Sequence, residues 1–151
     1  PQTMKYLLKF PRLIAIKDST SNWSLFQKAL VLNKTGGMLS GNEDLCGAAL
    51  IFGADGCVPC LANAYPNFYS KLYRCAGEGN IEGIKECQEA IIQMKKVLEF
   101  SKNWIAVVKY LCFRKGLMQP YTSFDVSELS KEEKENIEDY LMKNEYSFTK
   151  K

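Results

Sequence analysis

The hydrophobic positions of this chain change their period several times, and each change marks an element. Met4, Leu7 and Leu8 share one face of a helical repeat that ends before Pro11. Positions 13–16, Leu-Ile-Ala-Ile, then form a short apolar run suited to a strand buried on both faces, closed by Lys17 and Asp18. A polar turn with N-cap residues, Ser19 to Asn22, leads into helical periodicity over 23–32 through Trp23, Phe26, Leu30 and Val31. The cycle repeats with a strand at 37–41 and an apolar helix at 45–52 closed by Gly53. A third cycle has a strand at 57–61 and a helix at 66–75, with Pro66 in the first turn, where its missing donor costs nothing.

Three successive strand–helix units imply parallel strands, because such strands are joined by crossovers rather than tight turns. The predicted class is α/β. After Gly79 the pattern becomes purely helical, at 81–100, 104–114 and 131–143. Ile84, Cys87, Ile91, Met94 and Leu98 make the core stripe of the first, and the Ser130-Lys131-Glu132-Glu133 capping box opens the last. The expected organisation is a strand–helix part at 1–79 and a helical extension at 80–151.

Composition narrows the chemistry. At 46% hydrophobic and 25% charged, the 151 residues match one globular domain, and the net charge of +3 is too thinly spread for a nucleic-acid or membrane surface. No apolar stretch approaches the ~20 residues of a membrane span, and six scattered cysteines fit a reducing cytoplasm. With no histidine, Ser/His and Cys/His pairs are excluded, and zinc would have only cysteine and carboxylate ligands. Cys57-Val58-Pro59-Cys60 has the form of a CxxC motif, but on a strand its thiols fall on opposite faces, which makes them packing residues. The run Tyr65, Phe68, Tyr69, Leu72 and Tyr73 has helical spacing and reads as a face packed on the sheet.

Lys17 stands out. It closes a buried strand, where α/β folds place catalytic groups, and alternation points it the same way as Leu13 and Ala15. In a partly dehydrated pocket the ammonium would be disfavoured, and the neutral amine could attack a ketone to form an imine, an electron sink for the neighbouring carbon. The alternative is a solvated lysine at a strand end.

Four segments carry a further signal: Ile-Ala-Ile-Lys-Asp-Ser at 14–19, Leu-Ser-Gly-Asn-Glu-Asp at 39–44, Gly-Ala-Asp-Gly-Cys-Val at 53–58, and Leu-Ala-Asn-Ala-Tyr-Pro at 61–66. In motif, order and spacing the chain resembles the dihydrodipicolinate synthase and N-acetylneuraminate lyase family of class I Schiff-base aldolases. That resemblance implies units six to eight of a (β/α)8 TIM barrel plus its helical extension, with Lys17 as the Schiff-base lysine acting on pyruvate or a related 2-oxo acid, without metal or organic cofactor. It implies pocket-wall roles for Gly41 and Val58, for which a turn glycine and a core valine are the alternatives. Glu43 and Asp44 correspond to an acidic pair that receives sugar-acid hydroxyls in the lyase branch; the alternative is a carboxylate pair favouring the following helix through its dipole. Cys60 stands where the lyase branch has a substrate-binding serine, and Asn103-Trp104 replaces an asparagine-proline pair.

A complete barrel of this type takes ~250 residues, so the resemblance also implies that the catalytic tyrosine and the carboxylate-binding loop lie in a part this chain lacks. Pro1 at the first position, with a helical pattern already under way, agrees with a chain that begins inside a larger protein. The expected parent is a cytoplasmic homo-oligomer, dimer or tetramer, whose partner is a small 2-oxo acid rather than nucleic acid or membrane. The alternatives are a dehydratase acting on a deoxy-keto sugar acid and an inactive fragment.

Overall fold

A computed structural model describes residues 2–7, 9–33, 36–122 and 127–149, with side chains described up to residue 144. Leu8, assigned above to the first helix face, lies outside the described residues. The chain runs α1 (Gln2–Leu7), β1 (Ala15–Asp18), α2 (Trp23–Leu32), β2 (Gly37–Ser40), α3 (Cys46–Ile51), β3 (Gly56–Cys57), α4 (Pro66–Gly77), α5 (Ile81–Lys95), α6 (Trp104–Arg114) and α7 (Lys131–Thr149). Short 3-10 turns precede α3 (Glu43–Leu45), precede α4 (Cys60–Asn63) and extend α5 (Lys96–Phe100). The described residues form an α/β fold with three parallel strands in the order β1-β2-β3.

Register defines two faces of the sheet. Ile16 pairs with Met38, and Lys17 pairs with Leu39. Successive side chains on a strand point to opposite faces, so one face carries Ile16 and Met38 and the other carries Ala15, Lys17 and Leu39. The first packs on helices: Met38 is buried with Phe26 and Ala29 of α2 and Ala49 of α3, and Ile16 rests against them. The second face opens toward the site.

Local chemistry explains the helix boundaries. Asn22 caps α2 by accepting the Leu25 amide at 2.9 Å, Asn80 caps α5 through Gly83, and Asn103 caps α6 through Ala106. The capping box at α7 forms as expected, with the Ser130 amide donating to Glu133 Oε2 at 2.7 Å and the Glu133 amide to Ser130 Oγ at 3.1 Å. A larger core joins Cys46, Leu61, Phe68 and Leu72 to Ile84, Ile91, Met94, Val107, Leu111, Ile137 and Leu141, so the helices beyond Gly79 share a core with the strand–helix part. Of the aromatic run in α4, Phe68 and Tyr69 are buried in this core, whereas Tyr73 is exposed.

Three expectations need correction. The first strand starts two residues later than its apolar run and includes Lys17 and Asp18; Ile14 is 80% exposed. The third strand has two residues rather than five, because Cys60 opens a 3-10 turn. The CxxC cysteines therefore do not alternate along one strand: Cys57 ends β3, and Cys60 begins the turn.

Candidate functional site

Parallel strands deliver their C-terminal ends to one edge of the sheet, where loops rather than strand partners meet the backbone. Lys17 is the third residue of β1, and Asp18, the last, accepts the Thr20 amide at 2.7 Å, turning the chain away immediately beyond the lysine. At the end of β2 the Gly41 amide donates to the Asp18 carbonyl at 2.8 Å, and beside it the Val58 amide donates to the Ser40 carbonyl at 2.7 Å. These bonds bring the ends of all three strands level.

Gly41 leaves space for the lysine. A Cβ at position 41 would lie 2.3 Å from Lys17 Cε and 2.3 Å from Ser19 Oγ, so the Lys17 stem crosses the glycine at closer range than any side chain permits.

The lysine borders a cleft of about 890 Å³ between the strand ends and α6. Ser19, Gly41, Glu43, Val58, Pro59, Cys60 and Asn63 form its strand side; Leu98, Trp104, Ile105, Val108, Lys109, Cys112, Leu117 and Met118 form the other. Among the described residues no tyrosine lines it. Lys17 also edges a second hollow of about 480 Å³ between α1, β1 and α2, and is itself exposed. The dehydrated surroundings expected for it are therefore not provided by the described residues.

Five of the six residues expected at the site converge here: Lys17, Gly41, Glu43, Val58 and Cys60. Asp44 does not line the cleft. Its carboxylate meets Lys95 of α5, because the 3-10 turn Glu43–Leu45 sends adjacent side chains in different directions. Glu43 turns inward and is buried, accepting the Cys60 amide at 2.9 Å and the Cys60 thiol at 3.0 Å. Burial, and then this carboxylate, push the Cys60 thiol up to about 12. Such a thiol is a poor nucleophile near neutral pH.

The sequence expectation does not include the helical wall of the cleft. It singles out in α6 only the replacement at Trp104, yet Trp104, Ile105, Val108 and Lys109 all line the lysine's cleft. An apolar stripe at helical spacing reads as core, and the signal that this one also lines a cavity is the partial exposure of Trp104 and Ile105.

Among the described residues no cluster of three or more histidine, cysteine, aspartate or glutamate side chains could hold a metal ion, and no helix is long and apolar enough to cross a membrane.

The site can be set beside known proteins. A 4-hydroxy-tetrahydrodipicolinate synthase of Anaplasma marginale is 26% identical over 128 residues, covering 85% of this chain and 42% of that protein. The chain thus spans less than half the length of that curated relative. The solved dihydrodipicolinate synthase of Bacteroides thetaiotaomicron superposes with a TM-score of 0.86 at 25% identity, over 95% of this chain and 50% of that one. YagE, a prophage protein of Escherichia coli K12 solved in complex with pyruvate, gives 0.87 at 18% identity, over 96% and 51%. The model of the dihydrodipicolinate synthetase family matches residues 1–144, and the chain belongs to that family.

Proposed function

We propose that Lys17 is the Schiff-base nucleophile of a class I lyase or synthase that makes or breaks a carbon–carbon bond next to the carbonyl of pyruvate or a related 2-oxo acid. The observation that carries this reading is the placement of Lys17 at the C-terminal end of a parallel strand, its stem against Gly41 and the cleft before it, in a chain of this family. The pyruvate held by YagE, a protein of the same fold, supports the substrate class.

In the proposed chemistry the neutral amine adds to the keto carbon to give a carbinolamine, which loses water to form an imine. The protonated imine draws electrons from the neighbouring bond. Loss of a proton from C3 gives an enamine that adds to an aldehyde, and hydrolysis returns the amine and releases the product; cleavage runs the same steps in reverse. This scheme uses no metal or organic cofactor. It does require a proton shuttle and a clamp for the substrate carboxylate, groups the described lining does not offer as a tyrosine or an arginine. In the same reading the three strands are the sixth to eighth of a (β/α)8 barrel, Gly41 and Val58 form the pocket wall, and a complete catalytic set includes groups beyond those described.

The test is reductive trapping. Incubation with pyruvate and borohydride is expected to place a reduced adduct on the peptide containing Lys17, and Lys17→Ala to remove it. An adduct on Lys109, which borders the same cleft, would overturn the assignment.

A further inference from the structure

Glu43 belongs to the wall of the Lys17 cleft, yet its carboxylate is turned into the protein. The residue is 7% exposed. Its Oε1 accepts the Cys60 amide at 2.9 Å, the Cys60 thiol at 3.0 Å and the Leu61 amide at 3.4 Å. Those two amides begin the 3-10 turn Cys60–Asn63, where helical donors have no partner of their own. A single carboxylate oxygen therefore ends β3 and bends the chain along the cleft.

The backbone of Glu43 is fastened from the opposite side. Gln88, on α5, donates through Nε2 to the Glu43 carbonyl at 2.8 Å and accepts the Gly47 amide on Oε1 at 2.7 Å. A Cβ on residue 47 would come within 2.9 Å of that Oε1, so the glycine gives the amide side chain its place. One side chain of the helical layer thus grips both ends of the segment 43–47. The grip passes through Glu43 to the segment 58–61, whose residues Val58, Pro59 and Cys60 line the cleft on the same strand side as Lys17.

We infer that Glu43, held by Gln88, is a positioning residue that sets the Val58–Cys60 wall of the lysine cleft, rather than a ligand for substrate hydroxyls. Its bearing on catalysis rests on the Schiff-base reading of Lys17; the clamp itself does not.

The experiment compares the full chain with Glu43→Gln, Glu43→Ala and Gln88→Ala by hydrogen–deuterium exchange over 58–61, together with pyruvate trapping on Lys17. Glutamine keeps an acceptor oxygen for the two amides, so Glu43→Gln is expected to stay within a few-fold of wild type in both readouts. Glu43→Ala is expected to accelerate exchange at Cys60 and Leu61 at least tenfold and to slow trapping about tenfold. Gln88→Ala, which removes the hydrogen bonds to the Glu43 carbonyl and the Gly47 amide, is expected to shift both in the same direction. Unchanged exchange at 60–61 in Glu43→Ala and Gln88→Ala overturns the inference. So does a Glu43→Gln variant that forms the pyruvate adduct normally but loses binding of a polyhydroxylated 2-oxo acid. If Glu43→Ala does not fold, the wild type decides: Cys60 and Leu61 amides exchanging as fast as in a free peptide would refute the clamp. Failure of the wild type to trap pyruvate, with the exchange pattern intact, would remove the Schiff-base reading and leave the clamp standing.

Discussion

Replacing Gly41 with alanine adds a single methyl group, and its consequences are nearly all geometric. The new Cβ would lie 2.3 Å from Lys17 Cε and 2.3 Å from Ser19 Oγ, whereas carbon atoms settle at about 3.5–4.0 Å. The lysine stem must therefore retreat by at least about 1 Å. Gly41 is not among the glycines with positive φ, which are Gly53, Gly79 and Gly116, so alanine meets no backbone strain there. Lys17 is exposed and free to swing, which limits the cost to about 0.5–1.5 kcal/mol, the range of an off-rotamer side chain. A displacement of ~1 Å at the reacting atom can nevertheless cost ~10²-fold in rate. Gly41→Ala is thus expected to fold with a urea midpoint close to wild type while the rate of borohydride trapping with pyruvate falls about a hundredfold. Trapping at the wild-type rate would refute the reasoning. A stability loss well beyond that range would show instead that the glycine serves the backbone.

Ile137 on α7 is fully buried in the larger core, and Ile137→Ala should destabilise the fold by about 2–5 kcal/mol in urea unfolding; a loss below ~1 kcal/mol would mean that α7 is not integral to it. The thiol of Cys60 is held up to about 12, above its ordinary value of 9.0, so its contribution to stability is full below pH 9 and is lost as pH rises from there toward 12. Cys60→Ser should flatten the decline of the urea midpoint between pH 9 and 10.5, and an unchanged slope would contradict the shift. Among the described residues β1 and β3 each have one strand neighbour, and Ile14, Val31 and Phe52 are exposed. The isolated chain is therefore expected to self-associate in sedimentation, a result that a monodisperse monomer at tens of micromolar would reverse.

The helices were legible because their boundaries are written in local chemistry. Positions 23–32 and 104–114 coincide with α2 and α6, each preceded by an asparagine whose side chain caps the first turn. The strands were less so, for two different reasons. Leu13 and Ile14 extend the apolar run of β1, but no described strand flanks β1 on its far side, and pairing with β2 begins at Ala15. At 57–61 the pattern looks like a strand, yet the Cys60 and Leu61 amides are taken by Glu43, a partner 17 and 18 positions away. A long-range bond of this kind leaves no periodic trace. The same limit governs the cleft: motifs single out Lys17, Gly41, Val58 and Cys60, which line it together, whereas the divergence of Glu43 and Asp44 depends on the 3-10 turn that carries them.

The alternation of β1 ties correct folding to the presentation of Lys17 at the cleft. Ile16 enters the hydrocarbon layer under α2 and α3, and the next residue presents an amine to the cleft. Sliding the strand by one position would drive the amine of Lys17 into that layer, where an unpaired cation is strongly disfavoured, and lift Ile16 into solvent. Both errors act in the same direction. A molecule whose sheet is assembled out of register is therefore destabilised by the same slip that takes the amine of Lys17 away from the cleft.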